Sequence, residues 1–312
     1  MIVLIGGAGF IGSCIAEKLK KENKEFVILD IKQNELFEKK TKIVNILDKK
    51  KLEDFIPENS TIINLAAVHR DDDAVDDYYL VNVKGSENIC EIAIKKNCKN
   101  IFFFSTVAVY GKAPPLADEK TDQKPFNHYG KSKKQAEEVY LDWRKKDENH
   151  SLTIIRPTAV FGKGNRGNIF NLISQIKKGP FFMIGNGNNI KSIAFVENLV
   201  EFTLYLLRLK KKTKIHNYVD EPQMTLKELV LFIRVQFNIK TRLRYLPYSI
   251  AFLGGTIFDF LSKILNKKLK ISRVRVEKFI IESSYSANLS GYKRTYNLRE
   301  ALKKTIVEEF NI

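Results

Sequence analysis

Tyr129 and Lys133 are the residues whose types and spacing could move a proton. On a helix, positions i and i+4 share a face, so the phenol and the ammonium would stand side by side. Free tyrosine titrates near pH ~10 and is a poor base at neutral pH unless a nearby cation favours the phenolate, which Lys133 could supply. The same spacing also suits a solvated helix face, so the pair takes its meaning from what surrounds it.

A second chemical signature lies at the start of the chain. Ile2-Val3-Leu4-Ile5 reads as a buried strand running into Gly6-Gly7-Ala8-Gly9-Phe10-Ile11-Gly12, and an amphipathic helix follows through Ile15, Ala16 and Leu19. Glycines at 6, 9 and 12 allow a tight turn, close approach of backbone to a pyrophosphate and close helix-to-strand packing, with the helix N-terminus facing the anion. The next apolar run, Phe26-Val27-Ile28-Leu29, ends in Asp30. A carboxylate there suits the ribose hydroxyls and repels a 2′-phosphate, which favours NAD over NADP. Lys32 softens that preference without reversing it.

These residues need a scaffold, and the hydrophobic pattern supplies one. Strand-like runs at 2–5, 26–29, 42–46, 61–65, 101–104 and 152–155 alternate with helical patterns near 10–21, 48–55, 78–97 and 128–146. Such alternation predicts an α/β fold, a Rossmann-type doubly wound parallel sheet whose ligands lie beyond the carboxyl ends of the strands. After Pro157 the regularity loosens. The expected division is an NAD-binding domain over 1–159, to which a helix at 198–210 returns, and a smaller C-terminal substrate lobe formed mainly by 160–197 and 211–312.

Composition narrows the function classes. With 312 residues, 44% of them hydrophobic, the chain can bury a large core. The formal charge of +17 comes mostly from lysines scattered along every helical pattern, without a zinc finger, RNA-binding sheet signature or recognition-helix pattern, so no nucleic-acid partner is expected. Cys14, Cys90 and Cys98 show no C-x-x-C spacing, which argues against disulfides and against a metal site. The start carries no basic n-region, so the expected compartment is cytoplasmic.

Taken in order, Gly6-x-x-Gly9-x-x-Gly12, Asn64-Leu65-Ala66-Ala67, Asn82, Ser105-Thr106-x-x-Val109-Tyr110-Gly111, Tyr129-x-x-x-Lys133, Arg156-Pro157 and Asn198 resemble the extended short-chain dehydrogenase/reductase family of NAD-dependent epimerases and dehydratases. Three longer runs are similar to the bacterial group acting on GlcNAc-diphosphoundecaprenol in O-antigen synthesis. They are Ala66 through Asp72, Pro125 through Lys133, and Ser151 through Pro157 continuing to Asn165-Arg166-Gly167-Asn168. The resemblance implies NAD as cofactor and C4 epimerisation of a diphosphate-linked amino sugar. Tyr129 would be the base, Lys133 the residue that lowers its pKa and holds the nicotinamide ribose, and Thr106 the hydroxyl on the reacting oxygen. It further implies cofactor contacts from Gly6, Gly9, Phe10, Ile11, Gly12, Asp30, Ile46, Ala66, Ala67, Asn82 and Pro157. For the substrate it implies Arg166, Asn168 and Lys191, and it also implies a possible homodimer. His69 could face the sugar or phosphate, or belong to a charged loop with Asp71-Asp72-Asp73.

Two departures bear on the reaction. Val107-Ala108 stands where a 4,6-dehydratase would carry Asp-Glu, and Ser272-Arg273-Val274-Arg275 stands where UDP-sugar epimerases carry Arg-Pro-Gly-Asp. Residues 247–266 also form an amphipathic helix pattern, with Ile250, Leu253, Ile257 and Leu261 on one face and cationic flanks. It suits either an anionic membrane surface, at the inner face of the cell membrane, or packing against the chain's own lobe.

Overall fold

The computed structural model describes residues 1–69, 74–209, 213–254, 256, 279–289 and 291–312. Expectations attached to 70–73, to 257–266 of the amphipathic pattern and to 272–275 therefore lie outside the described residues. By its internal contacts the chain divides into two compact units. The first is Met1–Val160, Ala194–Val219 and Tyr285–Thr295, and the second is Phe161–Ile193, Asp220–Ser284 and Tyr296–Ile312.

The strands are β1 (Ile2–Ile5), β2 (Phe26–Asp30), β3 (Thr41–Ile43), β4 (Thr61–Asn64), β5 (Asn100–Phe104), β6 (Ser151–Pro157), β7 (Ala159–Phe161), β8 (Phe182–Ile184), β9 (Ile193–Phe195), β10 (Thr213–Tyr218) and β11 (Arg244–Leu246). Seven of them form one sheet in the order β10-β6-β5-β4-β1-β2-β3, with every ladder parallel. This is the Rossmann-type arrangement, and its order reverses between β4 and β1, the place where sheets of this kind take their ligands.

Side chains alternate along each strand, and the apolar runs are long enough to bury both faces. One face sends Val3, Ile5, Ile62, Ile101, Phe103 and Ile154 into a core with Ile89, Ile92, Ala136, Tyr140 and Trp143. These last come from α4 (Gly85–Lys95) and α5 (His128–Lys145), which follow α2 (Lys49–Phe55) and α3 (Val75–Tyr79) in the chain. The opposite face sends Leu4, Ile28, Ile63, Phe102 and Ile155 against α1 (Phe10–Lys21) and α7 (Val196–Arg208). The second unit contains α6 (Asn168–Lys178), α8 (Leu226–Gln236), α9 (Leu298–Phe310) and the parallel pair β8–β11.

Three elements differ from the sequence pattern. The third strand stops at Ile43 because, after one more ladder bond from Val44 N to Asp30 O at 2.8 Å, the Asn45 side chain accepts from Leu47 N and turns the chain. The helix expected over 78–97 is α3 and α4 joined by a π-helical segment, Leu80–Lys84, which widens the turn around buried Asn82. Strand β10 has no counterpart in the expected strands. It is nevertheless a full ladder partner of β6, because buried His216 and Asn217 find acceptors in segments distant in sequence.

Helix α7 is integral to the first unit, since Phe202 is wholly buried against His216, Tyr218 and Tyr292, with ring centroids 5.2 to 5.4 Å apart. Phe202→Ala should cost about 3–5 kcal/mol. A lower denaturant midpoint at unchanged slope is the expected reading.

Candidate active site

The strand ends bring the expected residues of the first unit into place. After β1, Gly6 turns with φ of +77°, and a Cβ there would lie 2.5 Å from Ala66 N, so the loops after β1 and β4 can touch only because Gly6 has no side chain. Gly9 caps α1 in an extended conformation with no side-chain hydrogen bond. The first amides of α1 are therefore open to an anion. Phe10 and Ile11 begin that helix, half-buried against the core, and Gly12 is buried beneath it. Asp30 is half-buried at the end of β2, where Oδ2 accepts from Ala8 N at 2.9 Å and Oδ1 from Lys32 N at 3.1 Å. Each oxygen keeps a lone pair for a further donor.

Ala66 and Ala67 line the loop after β4, which Asn82 holds from behind. Asn82 accepts from Val68 N at 2.9 Å and donates to Val68 O at 3.0 Å and to Ser132 Oγ at 2.9 Å. Its amide is thus bonded within the protein, and it fixes the loop and α5 together. Ile46 is buried, with Gly85 so close that a Cβ there would lie 2.9 Å from Ile46 Cδ1. His69 is exposed beside Val68, and Pro157 is buried at the end of β6.

Thr106 follows β5 and caps a short 3-10 turn, Val107–Tyr110, accepting from Ala108 N at 3.1 Å. Asn127 caps α5 by accepting from Gly130 N at 2.8 Å. A Cβ on Gly130 would lie 2.6 Å from Ala108 O, so the first turn of α5 lies directly against the Thr106 turn. That approach allows a hydrogen bond between the Thr106 hydroxyl and the Tyr129 phenol.

The electrostatics depart from the simplest expectation for the pair. Burial pushes the Tyr129 phenol up to about 12, Thr106 opposes that by donating to the phenolate, and Tyr78 adds to the rise. Lys133 is not among the groups acting on Tyr129. Its own pKa is brought down to about 7 by burial, with Glu137 pulling it back up. The Lys133 ammonium lies 4.1 Å from the Phe103 ring centroid and has no hydrogen-bond acceptor among the described residues. A buried cation and an uncapped helix end that can donate, with a carboxylate that can accept, are the groups a dinucleotide requires, so these residues fit NAD.

Behind Lys133, Glu137 and Arg156 form a buried ion pair that the sequence reading did not single out. The signal was present, since Glu137 follows Lys133 by one helical turn and neighbours buried Ala136 and Tyr140 on α5.

The remaining predicted residues belong to the second unit. Exposed Arg166 pairs with Glu309 of α9 and lies over the Phe170 ring, 4.3 Å from its centroid. Asn168 is the exposed first residue of α6. Lys191 donates from Nζ to Ile281 O, and burial brings its pKa down to about 8 against the pull of Glu282.

The profile of the NAD dependent epimerase/dehydratase family matches residues 2–219. The chain belongs to that family. It is similar to the N-acetyl-alpha-D-glucosaminyl-diphospho-ditrans,octacis-undecaprenol 4-epimerase of Escherichia coli O157:H7, at 42% identity covering 99% of this chain and 95% of that protein. Among solved structures it resembles the UDP-glucose 4-epimerase of Thermus thermophilus in complex with NAD, at 21% identity, TM-score 0.76 and 99% of each chain. It also resembles the UDP-N-acetylglucosamine 4-epimerase of Bacillus cereus, at 17% identity, TM-score 0.78, and 100% and 96% of the two chains. Membership of this family makes the chain an NAD-dependent enzyme.

A buried lysine with a lowered pKa binds fewer protons folded than unfolded between about pH 7 and its ordinary value. Its burial therefore costs stability below that window, and the cost fades as pH rises through it. In NAD-free protein Lys133→Met should melt higher than wild type at about pH 6, with the gap closing towards about pH 10. Differential scanning calorimetry across pH checks this, and an unchanging gap would contradict the assignment.

Proposed function

We propose that the protein interconverts GlcNAc and GalNAc by inversion at C4 while the sugar is carried on undecaprenyl diphosphate, for bacterial surface polysaccharide synthesis. The observation that carries this reading is the 42% identity, over 99% of the chain, to an epimerase named for that substrate. The chemistry of the first unit supports it. Val107 and Ala108, the two residues after Thr106, carry no ionisable group, so those positions supply neither the acid nor the base of an elimination.

In the forward direction Tyr129 removes the proton from the sugar O4 while the C4 hydride departs, leaving a 4-keto sugar. Thr106 donates to that oxygen and holds it against the phenol. The chemistry supplied by bound NAD is reversible hydride storage. Lys133, buried on the same helix face as Tyr129, would hold the ribose hydroxyls of the cofactor. After the keto sugar turns its other face, Tyr129 returns the proton to O4 as C4 is reduced. An exchange of that kind would leave the cofactor unchanged per cycle, so tight retention would suit it, and Asp30 is the residue that would accept from its ribose hydroxyls. The diphosphate falls to Arg166, Asn168 and Lys191. Arg166 would exchange Glu309 for phosphate oxygens, and Lys191 would exchange the Ile281 carbonyl.

A polyprenyl carrier places the substrate at a membrane. Among the described residues no helix is long and apolar enough to cross one. Contact at the surface is supported by Tyr248, Ile250 and Leu253, which are 39%, 57% and 62% exposed, next to exposed Arg242 and Arg244. The proposed location is therefore the cytoplasmic face of the cell membrane.

Offered GlcNAc-diphosphoundecaprenol and UDP-GlcNAc separately, the enzyme should form GalNAc faster on the lipid carrier. Faster turnover of UDP-GlcNAc would overturn the carrier assignment, and stoichiometric NADPH consumption would identify a reductase instead. Tyr129→Phe should lower kcat at least about a hundredfold, as expected for loss of a general base. For the membrane, Ile250→Ser with Leu253→Ser should reduce flotation with anionic liposomes, and undiminished flotation would remove this surface from the proposal.

A further inference from the structure

We propose that Glu137 is a positioning residue of the acid/base site, which together with Arg156 locks the turn carrying Thr106 onto the helix face carrying Tyr129 and Lys133. Glu137 lies two helical turns beyond Tyr129 and is 1% exposed, as is Arg156. Its carboxylate accepts from Arg156 Nε at 2.9 Å, from Arg156 Nη2 at 2.5 Å, from Gln123 Nε2 at 3.0 Å and from Ser105 Oγ. Four donors occupy its four lone-pair sites, so none is left for substrate or solvent.

The donors come from segments that the active site must hold in register. Ser105 precedes Thr106, so its bond to Glu137 ties the end of β5 to α5. Arg156 sits on β6 and donates from Nη1 to Tyr110 OH at 2.7 Å, at the other end of the Thr106 turn. Tyr110 in turn donates to Asn217 Oδ1 on β10 at 2.7 Å. The Thr106 turn is therefore held at both ends by groups leading to one carboxylate. A 1 Å shift of that turn would separate the Thr106 hydroxyl from the phenol, the kind of misplacement that costs about a hundredfold in rate.

The carboxylate has a second, electrostatic effect. The charged and titratable groups facing it are Arg156 from β6 and Lys133 from its own helix, with Tyr110 beyond Arg156. Glu137 raises the pKa of Lys133, which burial holds at about 7. Removing the negative charge lowers it further, so the ammonium is lost at lower pH. A step that needs the cation then fails earlier as pH rises.

The inference rests on Tyr129 acting as the base, and the test separates the two. The NAD-loaded enzyme is assayed from acid to alkaline pH with whichever of the two GlcNAc diphosphates it turns over. Glu137→Gln should lower kcat at least about tenfold with KM within about twofold, the pattern of a group that touches no substrate. The alkaline limb of its kcat profile should move to lower pH, and Glu137→Asp, which keeps the charge, should return the limb towards wild type. Because Glu137→Gln leaves Arg156 buried without its partner, the double variant Glu137→Leu with Arg156→Met tests the same point with an apolar pair in place of the ions. It should fold, show kcat lowered at least about tenfold and show the same shifted limb. Wild-type kcat in a folded Gln or double variant would overturn the proposal, as would reduced kcat with an unmoved limb, which marks a merely structural role. Full activity in Tyr129→Phe would instead overturn the acid/base reading and leave Glu137 nothing to position.

Discussion

The first turn of α5 lies so close to the turn after β5 that a methyl group on Gly130 would come within 2.6 Å of the Ala108 carbonyl oxygen. The acid/base site depends on that approach. Tyr129 and Thr106 belong to different elements, and each is fixed by its own cap, Asn127 for the helix and Thr106 itself for the 3-10 turn. Caps set the local conformations, but only the missing side chain at Gly130 lets the two elements meet. The same device recurs at Gly6, where the loop after β1 meets Ala66. A parallel sheet brings its strand ends to one edge, and glycines at the contacts decide how closely the loops can converge there.

Beneath that edge the protein buries Lys133, Glu137 and Arg156, each 1% exposed. Arg156 and Glu137 neutralise each other, and the remaining cost of burial falls on Lys133, whose pKa is brought down to about 7 so that its charge is lost near neutrality. In the protein alone the candidate site therefore holds Tyr129 as the neutral phenol, with its pKa pushed up to about 12 by burial.

The sequence made the sheet legible because its signals are local. Apolar runs of strand length, a glycine turn between the first strand and first helix, and an acid at the end of β2 can each be recognised within a few residues. Strand β10 was not legible. Lys214, His216 and Asn217 break its apolar pattern, and what makes them tolerable there is distant in sequence: Asn288 O for His216, and Ala117, Ser286 and Glu119 for Asn217. The π-helical segment at 80–84 was invisible for a related reason, since the period of the side chains is almost that of an α-helix. Glu137 was hidden in plain composition. It precedes exposed Glu138 in a helix rich in charge, and only the positions of Arg156 on β6 and Ser105 just after β5, which no local window includes, distinguish the buried carboxylate from the solvated one.

The second unit is less legible because its predicted ligands are small charged groups with several uses. Arg166 and Lys191 are bonded within the chain, to Glu309 and to the Ile281 carbonyl. Exchange of such partners for phosphate oxygens replaces one set of charge-assisted bonds with another, so the net gain in affinity is modest. A soluble nucleotide sugar at low concentration would demand more. A substrate confined to a membrane does not, because an enzyme resting on the same surface meets it at a high effective concentration. On the proposed reading, modest diphosphate recognition and the exposed side chains of Tyr248, Ile250 and Leu253 would be linked: the more a membrane surface supplies by confinement, the less the polar contacts must supply by affinity.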